Sequence, residues 1–222
     1  MIKRLFNPIT VPNAAARLGN YSVPAGKRID GFELLVCNAS GAAVGLDLWI
    51  GAAASDTTKL FDRRSDKMQI PAKGVTVISS RQVLDAGFGL WAAASAAGAL
   101  TLHASGVEIA AAGAVPRRLW TSVGVGVGGA DRYTVPALHT LINPEIAVLN
   151  RGNAAVNFSG WLVPSGGSAA GSNYFAPAMP VEPGATVTFS LRQVLHAGDK
   201  IRVLASAGSA LTIHGSGYEI TQ

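Results

Sequence analysis

Arg81-Gln82-Val83-Leu84-Asp85-Ala86-Gly87 stands in one half of the chain, and Arg192-Gln193-Val194-Leu195-His196-Ala197-Gly198 stands in the other. The match runs on: residues 81–109 and 192–220 align without a gap, and 17 of 29 positions are identical. Upstream, Arg4-Leu5-Phe6 answers Arg118-Leu119-Trp120, and Tyr21-Ser22-Val23-Pro24-Ala25 answers Tyr133-Thr134-Val135-Pro136-Ala137. Asn38 with Ala42-Ala43-Val44 answers Asn150 with Ala154-Ala155-Val156, and Trp49 answers Trp161. The chain is therefore a duplicated module of roughly 105 residues, a common domain size. That period is far longer than the roughly 20–50 residues of a solenoid repeat, so each copy is expected to hold its own core. The expected domains are 1–113 and 114–222, joined by the short apolar linker Ala110-Ala111-Ala112-Gly113-Ala114-Val115-Pro116. Residues kept in both copies serve the module's fold. Residues present in one copy alone are candidates for function.

The local patterns are those of strands. Ile201-Arg202-Val203, Leu211-Thr212-Ile213-His214 and Leu100-Thr101-Leu102-His103 alternate apolar and polar side chains, the period of a half-buried strand. Thr186-Val187-Thr188-Phe189 and Thr76-Val77-Ile78 are rich in β-branched residues. Leu34-Leu35-Val36 and Ile146-Ala147-Val148-Leu149 are continuous apolar runs, expected for central strands buried on both faces. Turn signals such as Pro24-Ala25-Gly26 and Pro183-Gly184 separate them. This spacing predicts about seven or eight strands per copy and an all-β fold. The fold class is two tandem antiparallel β-sandwich domains, jelly-roll or Ig-like, related by internal duplication. Arg-Gln-Val-Leu is expected to form a single helical turn at a sandwich corner.

Charge and composition exclude several classes. Residues 1–113 carry 11 basic and 8 acidic side chains, and residues 114–222 carry 7 and 5, within a formal net charge of +5. No Lys/Arg block forms the clustered face that nucleic-acid binding needs, so nucleic acid is not expected as a partner. The single Cys37 excludes an internal disulfide framework and is expected to pack as a small hydrophobe in a core strand. Residues 86–102 carry no charge, near the lower length limit of a membrane span, but the equivalent stretch contains Asp199, Lys200 and Arg202. That charge vetoes a membrane segment. Two short strands joined by a turn at Ala96-Ala97-Gly98 are expected instead, and no secretory leader is visible before Asn7-Pro8.

No catalytic or cofactor motif withstands comparison between the copies. Gly124-Val125-Gly126-Val127-Gly128-Gly129 has the spacing of a dinucleotide loop, which requires a helix to follow. Asp131-Arg132-Tyr133-Thr134-Val135 follows instead and reads as a strand, so a flexible loop or edge strand is expected. His103 and His214 are equivalent, but no shared Cys, Asp or Glu cluster completes a metal site, and surface or hydrogen-bonded strand histidines are expected. Glu108 and Glu219 provide one carboxylate per copy, not the pair a glycosidase needs. They are expected to be solvent-facing or paired on the last strand. No enzyme activity, cofactor or metal is expected.

The copies differ most between the shared Trp and Arg-Gln-Val-Leu. The first copy places Lys59, Arg63, Arg64 and Lys67 among Asp56, Asp62 and Asp66. The second has Ser165-Gly166-Gly167-Ser168 and then Tyr174-Phe175-Ala176-Pro177-Ala178-Met179-Pro180. Loops carry contacts disproportionately. Lys59, Arg63, Arg64, Lys67, Tyr174, Phe175 and Met179 are therefore the candidate protein-contact residues, within the unmatched segments 57–73 and 165–182. An N-terminal arm over residues 1–17 is a third candidate contact.

Tyr133-Thr134-Val135-Pro136, Val148-Leu149-Asn150 with Ala154-Ala155-Val156, and Trp161-Leu162-Val163-Pro164-Ser165-Gly166-Gly167 resemble a family of small β-sandwich structural proteins of tailed bacteriophages. The ending, Leu195-His196-Ala197-Gly198-Asp199 through Ala205-Ser206-Ala207 to Ser216-Gly217-Tyr218-Glu219-Ile220, carries the same resemblance. The first copy departs from it at Leu18-Gly19-Asn20 and in the charged loop. The resemblance implies a virion protein of the head, neck or tail: a capsid decoration, collar or tail accessory component. It implies contacts with other virion proteins and a homo-oligomer, trimer or hexamer, and it transfers no catalytic residue. The alternative is a carbohydrate- or receptor-binding module of a fibre or adhesin, with Trp49 and Trp161 as stacking platforms. Retention of both also fits a core role.

Overall fold

The computed structural model describes residues 1–55, 58–65, 68–112 and 116–221. The chain divides into two units, Met1–Ala114 and Val115–Gln222. The expected boundary lies in the stretch 113–115, outside the described residues. Regular structure among the described residues is β-strand, with short 3-10 turns that include Leu18–Asn20 and Gly171–Asn173. No helix among them is long and apolar enough to cross a membrane.

The first unit contains β1 (Ile2–Thr10), β2 (Ala16–Arg17), β3 (Lys27–Asn38), β4 (Val44–Gly51), β5 (Lys59–Phe61), β6 (Gln69–Ile70), β7 (Val75–Leu84), β8 (Gly89–Ala94) and β9 (Leu100–Ala110). They pair antiparallel as one sheet in the order β1-β9-β3-β7 and a second in the order β2-β8-β4-β5, with β6 also on β4. The second unit contains β10 (Pro116–Gly124), β11 (Ala130–Thr134), β12 (His139–Asn150), β13 (Val156–Val163), β14 (Tyr174–Val181), β15 (Thr186–Ser190), β16 (Val194–His196), β17 (Lys200–Ala205) and β18 (Leu211–Thr221). Its sheets run β10-β18-β12-β15, with β16 also on β12, and β11-β17-β13-β14. Equivalent strands occupy equivalent places in both units.

In the second unit one apolar cluster draws on both sheets. Leu141, Ile146 and Val148 of β12 and Ile213 of β18 join Phe158 of β13 and Ile201 and Val203 of β17. Phe158 is fully buried, and removing a buried ring of this kind typically costs about 3–5 kcal/mol.

A buried asparagine explains why Asn38 and Asn150 are shared. Asn38 Nδ2 donates to the Ala42 and Ile70 carbonyls at 2.7 and 2.9 Å, and the Ser40 amide donates to its Oδ1 at 2.9 Å. Asn150 Nδ2 donates to the Ala154 and Val181 carbonyls at 2.8 and 2.7 Å, and the Gly152 amide donates to its Oδ1 at 2.8 Å. One side chain thus satisfies the turn after the strand and a neighbouring strand end, which a buried backbone requires.

Several expectations need correction. Arg81–Leu84 forms no helical turn: it completes β7, and Val194 and Leu195 lie in β16. The irregularity lies in the partner strand instead, where Gly31 (φ 72°) and Asn143 (φ 49°) sit at register shifts in β3 and β12. The supposed N-terminal arm is strand β1, paired with β9 from Ile2↔Val107 to Thr10↔Thr101. Leu35 is 37% exposed because its cross-strand neighbours, Val77 and His103, are exposed with it. Cys37 is half-buried, paired with exposed Val75. The run in β12 is buried on both faces as expected. His103 is exposed, whereas His214 is fully buried on a face where Thr212, Ala147 and Leu149 are buried too. Cover of a whole sheet face decides this, and alternation along one strand does not encode it.

Candidate functional site

The shared Trp49 and Trp161 lie at the centre of equivalent cross-strand rows. In the first unit, Trp49 of β4 pairs with Lys59 of β5 on one side and Trp91 of β8 on the other, and Trp91 pairs with Arg17 of β2. In the second unit, Trp161 of β13 pairs with Tyr174 of β14 and Arg202 of β17, and Arg202 pairs with Asp131 of β11. Directly opposed residues on neighbouring strands share a face and interact. The rows are thus Lys59–Trp49–Trp91–Arg17 and Tyr174–Trp161–Arg202–Asp131.

The first row is built on cations over rings. Lys59 Nζ lies 5.0 Å from the centre of the Trp49 ring, and the Arg17 guanidinium lies 4.9 Å from that of Trp91. Lys59 also pairs with Asp47 at 3.0 Å and Asp62 at 3.3 Å. Arg63 reaches Asp47 at 2.5 Å, and Arg64 reaches Asp62 at 2.9 Å. Both carboxylates are buried. Burial alone pushes the Asp62 carboxyl up, but hydrogen bonds from Arg64 and the nearby Lys59 charge outweigh it and hold it below the usual carboxylate range. Three of the candidate contact residues therefore neutralise two buried acids of their own unit. Lys67, with Asp56 and Asp66, lies outside the described residues. The signal for this network is one-sided in the sequence: Asp47 in the first copy corresponds to uncharged Ser159 in the second, alongside the one-sided cationic loop.

The second row begins with an aromatic stack. Tyr174 lies on Trp161 with ring centres 4.7 Å apart and 30° between planes. Tyr174 is 40% exposed. Phe175 and Met179 are half-buried. Both pack against the second unit's apolar cluster, with Phe175 edge-on to Phe189 at 5.4 Å. The Phe175 ring occupies the space above Gly160, where a Cβ would collide with it. The second part of the segment 165–182 is the edge strand β14, where Pro177 and Pro180 are tolerated because one side needs no ladder bond.

Trp49 and Trp161 are each 8% exposed, beneath Lys59 and Tyr174 respectively. A stacking platform needs an open ring face, and neither offers one. At the far end of the second row, Asp131 accepts from Arg202 at 2.8 Å and Lys200 at 3.0 Å, and these hydrogen bonds hold its carboxyl below the usual range. Asp131 and Arg202 both lie outside the unmatched segments 57–73 and 165–182. Aligning Arg202 with Trp91 at the 111-residue offset exposes the difference.

The remaining motifs are structural. Glu108 pairs with Lys3 at 2.5 Å, and Glu219 lies 3.0 Å from Arg117. Gly124–Gly129 closes β10 and turns into β11 with no helix after it. No group of three or more His, Cys, Asp or Glu that could hold a metal occurs among the described residues.

No family model matches the chain, and no curated protein matches it. Solved structures do. The major capsid protein P2 of bacteriophage PM2 matches with a TM-score of 0.38 and 12% identity, over 100% of this chain and 99% of that one. A chain of infectious bursal disease virus, Gt strain, matches with a TM-score of 0.30 and 8% identity, over 100% and 72%. A fucolectin from striped bass (Morone saxatilis) serum matches with a TM-score of 0.30 and 10% identity, over 97% and 86%. Virus and lectin structures thus stand side by side among those it resembles.

Proposed function

We propose that the chain is a tandem jelly-roll protein that serves as a non-enzymatic structural component of a phage particle. The observation that carries this reading is the strand order, present twice. Of eight consecutive jelly-roll strands, the first, eighth, third and sixth form one sheet, and the second, seventh, fourth and fifth form the other. β1-β9-β3-β7 with β2-β8-β4-β5 follows that order once the short β6 is set aside, and β10-β18-β12-β15 with β11-β17-β13-β14 repeats it once the short β16 is set aside. Each unit is then a two-sheet sandwich, in keeping with the apolar cluster fed by both sheets of the second unit. Jelly rolls of this kind build viral shells and also lectin domains.

The protein works through protein contacts, as a capsid decoration, collar or tail accessory component. The face of the β1-β9-β3-β7 sheet with Leu35, Val75 and Val77, exposed by 37%, 59% and 56%, is the surface offered to another copy of the chain. A trimer of two-module chains would present six similar modules, suited to a six-fold ring. Mass spectrometry of purified particles tests the reading. The protein is expected among the virion components at a fixed stoichiometry, and its absence from intact particles would overturn the assignment.

A further inference from the structure

We propose that the second unit binds a carboxylate-bearing sugar residue beside Lys200 and Arg202. A cavity of about 380 Å³ opens there, lined by Asp131, Val163, Lys200, Arg202 and the segment 167–169. That volume falls at the small end of ligand pockets, roughly 300–1,000 Å³. Among the described residues, Lys200 and Arg202 share one carboxylate, that of Asp131, so these three side chains carry one surplus positive charge and more N–H donors than that carboxylate takes up. The three side chains are 37%, 34% and 33% exposed, so each is partly removed from water, where charge attraction strengthens.

The chemistry selects the ligand. A carboxylate would take the remaining ammonium and guanidinium donors as charge-assisted hydrogen bonds. Hydroxyls beside it would meet Asp131 and the Ser168 hydroxyl. Inorganic phosphate brings charge without separate hydroxyls, so it leaves the acceptor Asp131 and the Ser168 hydroxyl unanswered. A neutral sugar would leave the cationic donors unanswered.

The first unit shows that the fold does not require this arrangement. Val163, Lys200 and Arg202 correspond there to Gly51, Gly89 and Trp91, and Arg17 stands opposite Trp91 where Asp131 stands opposite Arg202. The cavity chemistry belongs to the second copy alone. It goes beyond the structural role, and its failure would leave the particle assignment intact.

Calorimetric titration of the full chain at low salt with glucuronate, glucose and inorganic phosphate tests it. Glucuronate is expected to bind with a Kd of about 1 mM, with glucose and phosphate at least about tenfold weaker. Lys200→Gln is expected to weaken glucuronate about tenfold. Ala169→Glu adds an acid to the exposed rim without touching the ion pairs, and is expected to abolish binding while the melting temperature holds. No saturable glucuronate binding up to about 20 mM, equal binding of phosphate or glucose, or undiminished binding by folded Ala169→Glu would each overturn the proposal.

Discussion

Tyr133 donates its hydroxyl to the Glu219 carboxylate and so ties β11 in one sheet of the second unit to β18 in the other. Glu219 is buried, and its second oxygen forms an ion pair with Arg117 at 3.0 Å, outside hydrogen-bonding geometry. The tyrosine hydroxyl is therefore the directional partner of a buried charge. Tyr133→Phe is expected to destabilise the second unit by about 1–3 kcal/mol, the cost of leaving a buried acceptor unmet. Denaturant unfolding of wild type and variant measures it. Unchanged stability would show that the carboxylate finds another donor.

Asn150 offers a sharper test of the shared framework. Asn150→Ala leaves the Ala154 and Val181 carbonyls and the Gly152 amide without their side-chain partner. A loss of about 2–4 kcal/mol is expected, seen as a fall of about 10 °C or more in the second unit's melting transition. Asn38→Ala is expected to act likewise on the first unit.

The repeat made much of this framework legible before any coordinates. The turn at Ala96-Ala97-Gly98 between β8 and β9 was readable because charge in the second copy ruled out a membrane span. Asn38 and Asn150 were marked by retention alone. The row across the sheet was not legible, because Trp161, Tyr174, Arg202 and Asp131 meet only through strand register, and sequence distance says nothing of that. Phe175 looked exposed because its neighbours are Pro, Ala and Tyr. What turns it inward is Gly160 on the adjacent strand, which leaves room for its ring.

That packing is testable. Gly160→Ala places a Cβ where the Phe175 ring lies and is expected to cost about 1–3 kcal/mol by overpacking. Combining it with Phe175→Leu, measured in a double-mutant cycle, is expected to recover part of the loss. Strict additivity would show that the two positions do not meet.

Asp62 gives the first unit a defined pH response. Its folded-state pKa is depressed, so its pairing adds stability in full above the unfolded value near about pH 4. That contribution is lost as pH falls through the lower folded value. Thermal melts between about pH 5 and pH 2 should therefore fall more steeply for wild type than for Asp62→Asn. Parallel slopes would contradict the pairing.

The exposed face of the first unit predicts an association defect. Val77→Lys places a charge beside Leu35 on that face, and a surface change of this kind alters stability by only about 0.5 kcal/mol. On the proposed self-association through this face, sedimentation velocity is expected to show a smaller species than wild type with the melting temperature retained. An unchanged sedimentation coefficient would remove this face from the assembly.

The two Trp-centred rows have a consequence for how such a chain diversifies. One scaffold carries a cation lying over a ring at both ends of one row, and an aromatic stack with an ion pair in the other. The strand order beneath is the same. The row is thus a set of interchangeable positions on a backbone that does not depend on their chemistry. Duplication thus leaves two copies of one strand order free to hold different chemistry in the same four places.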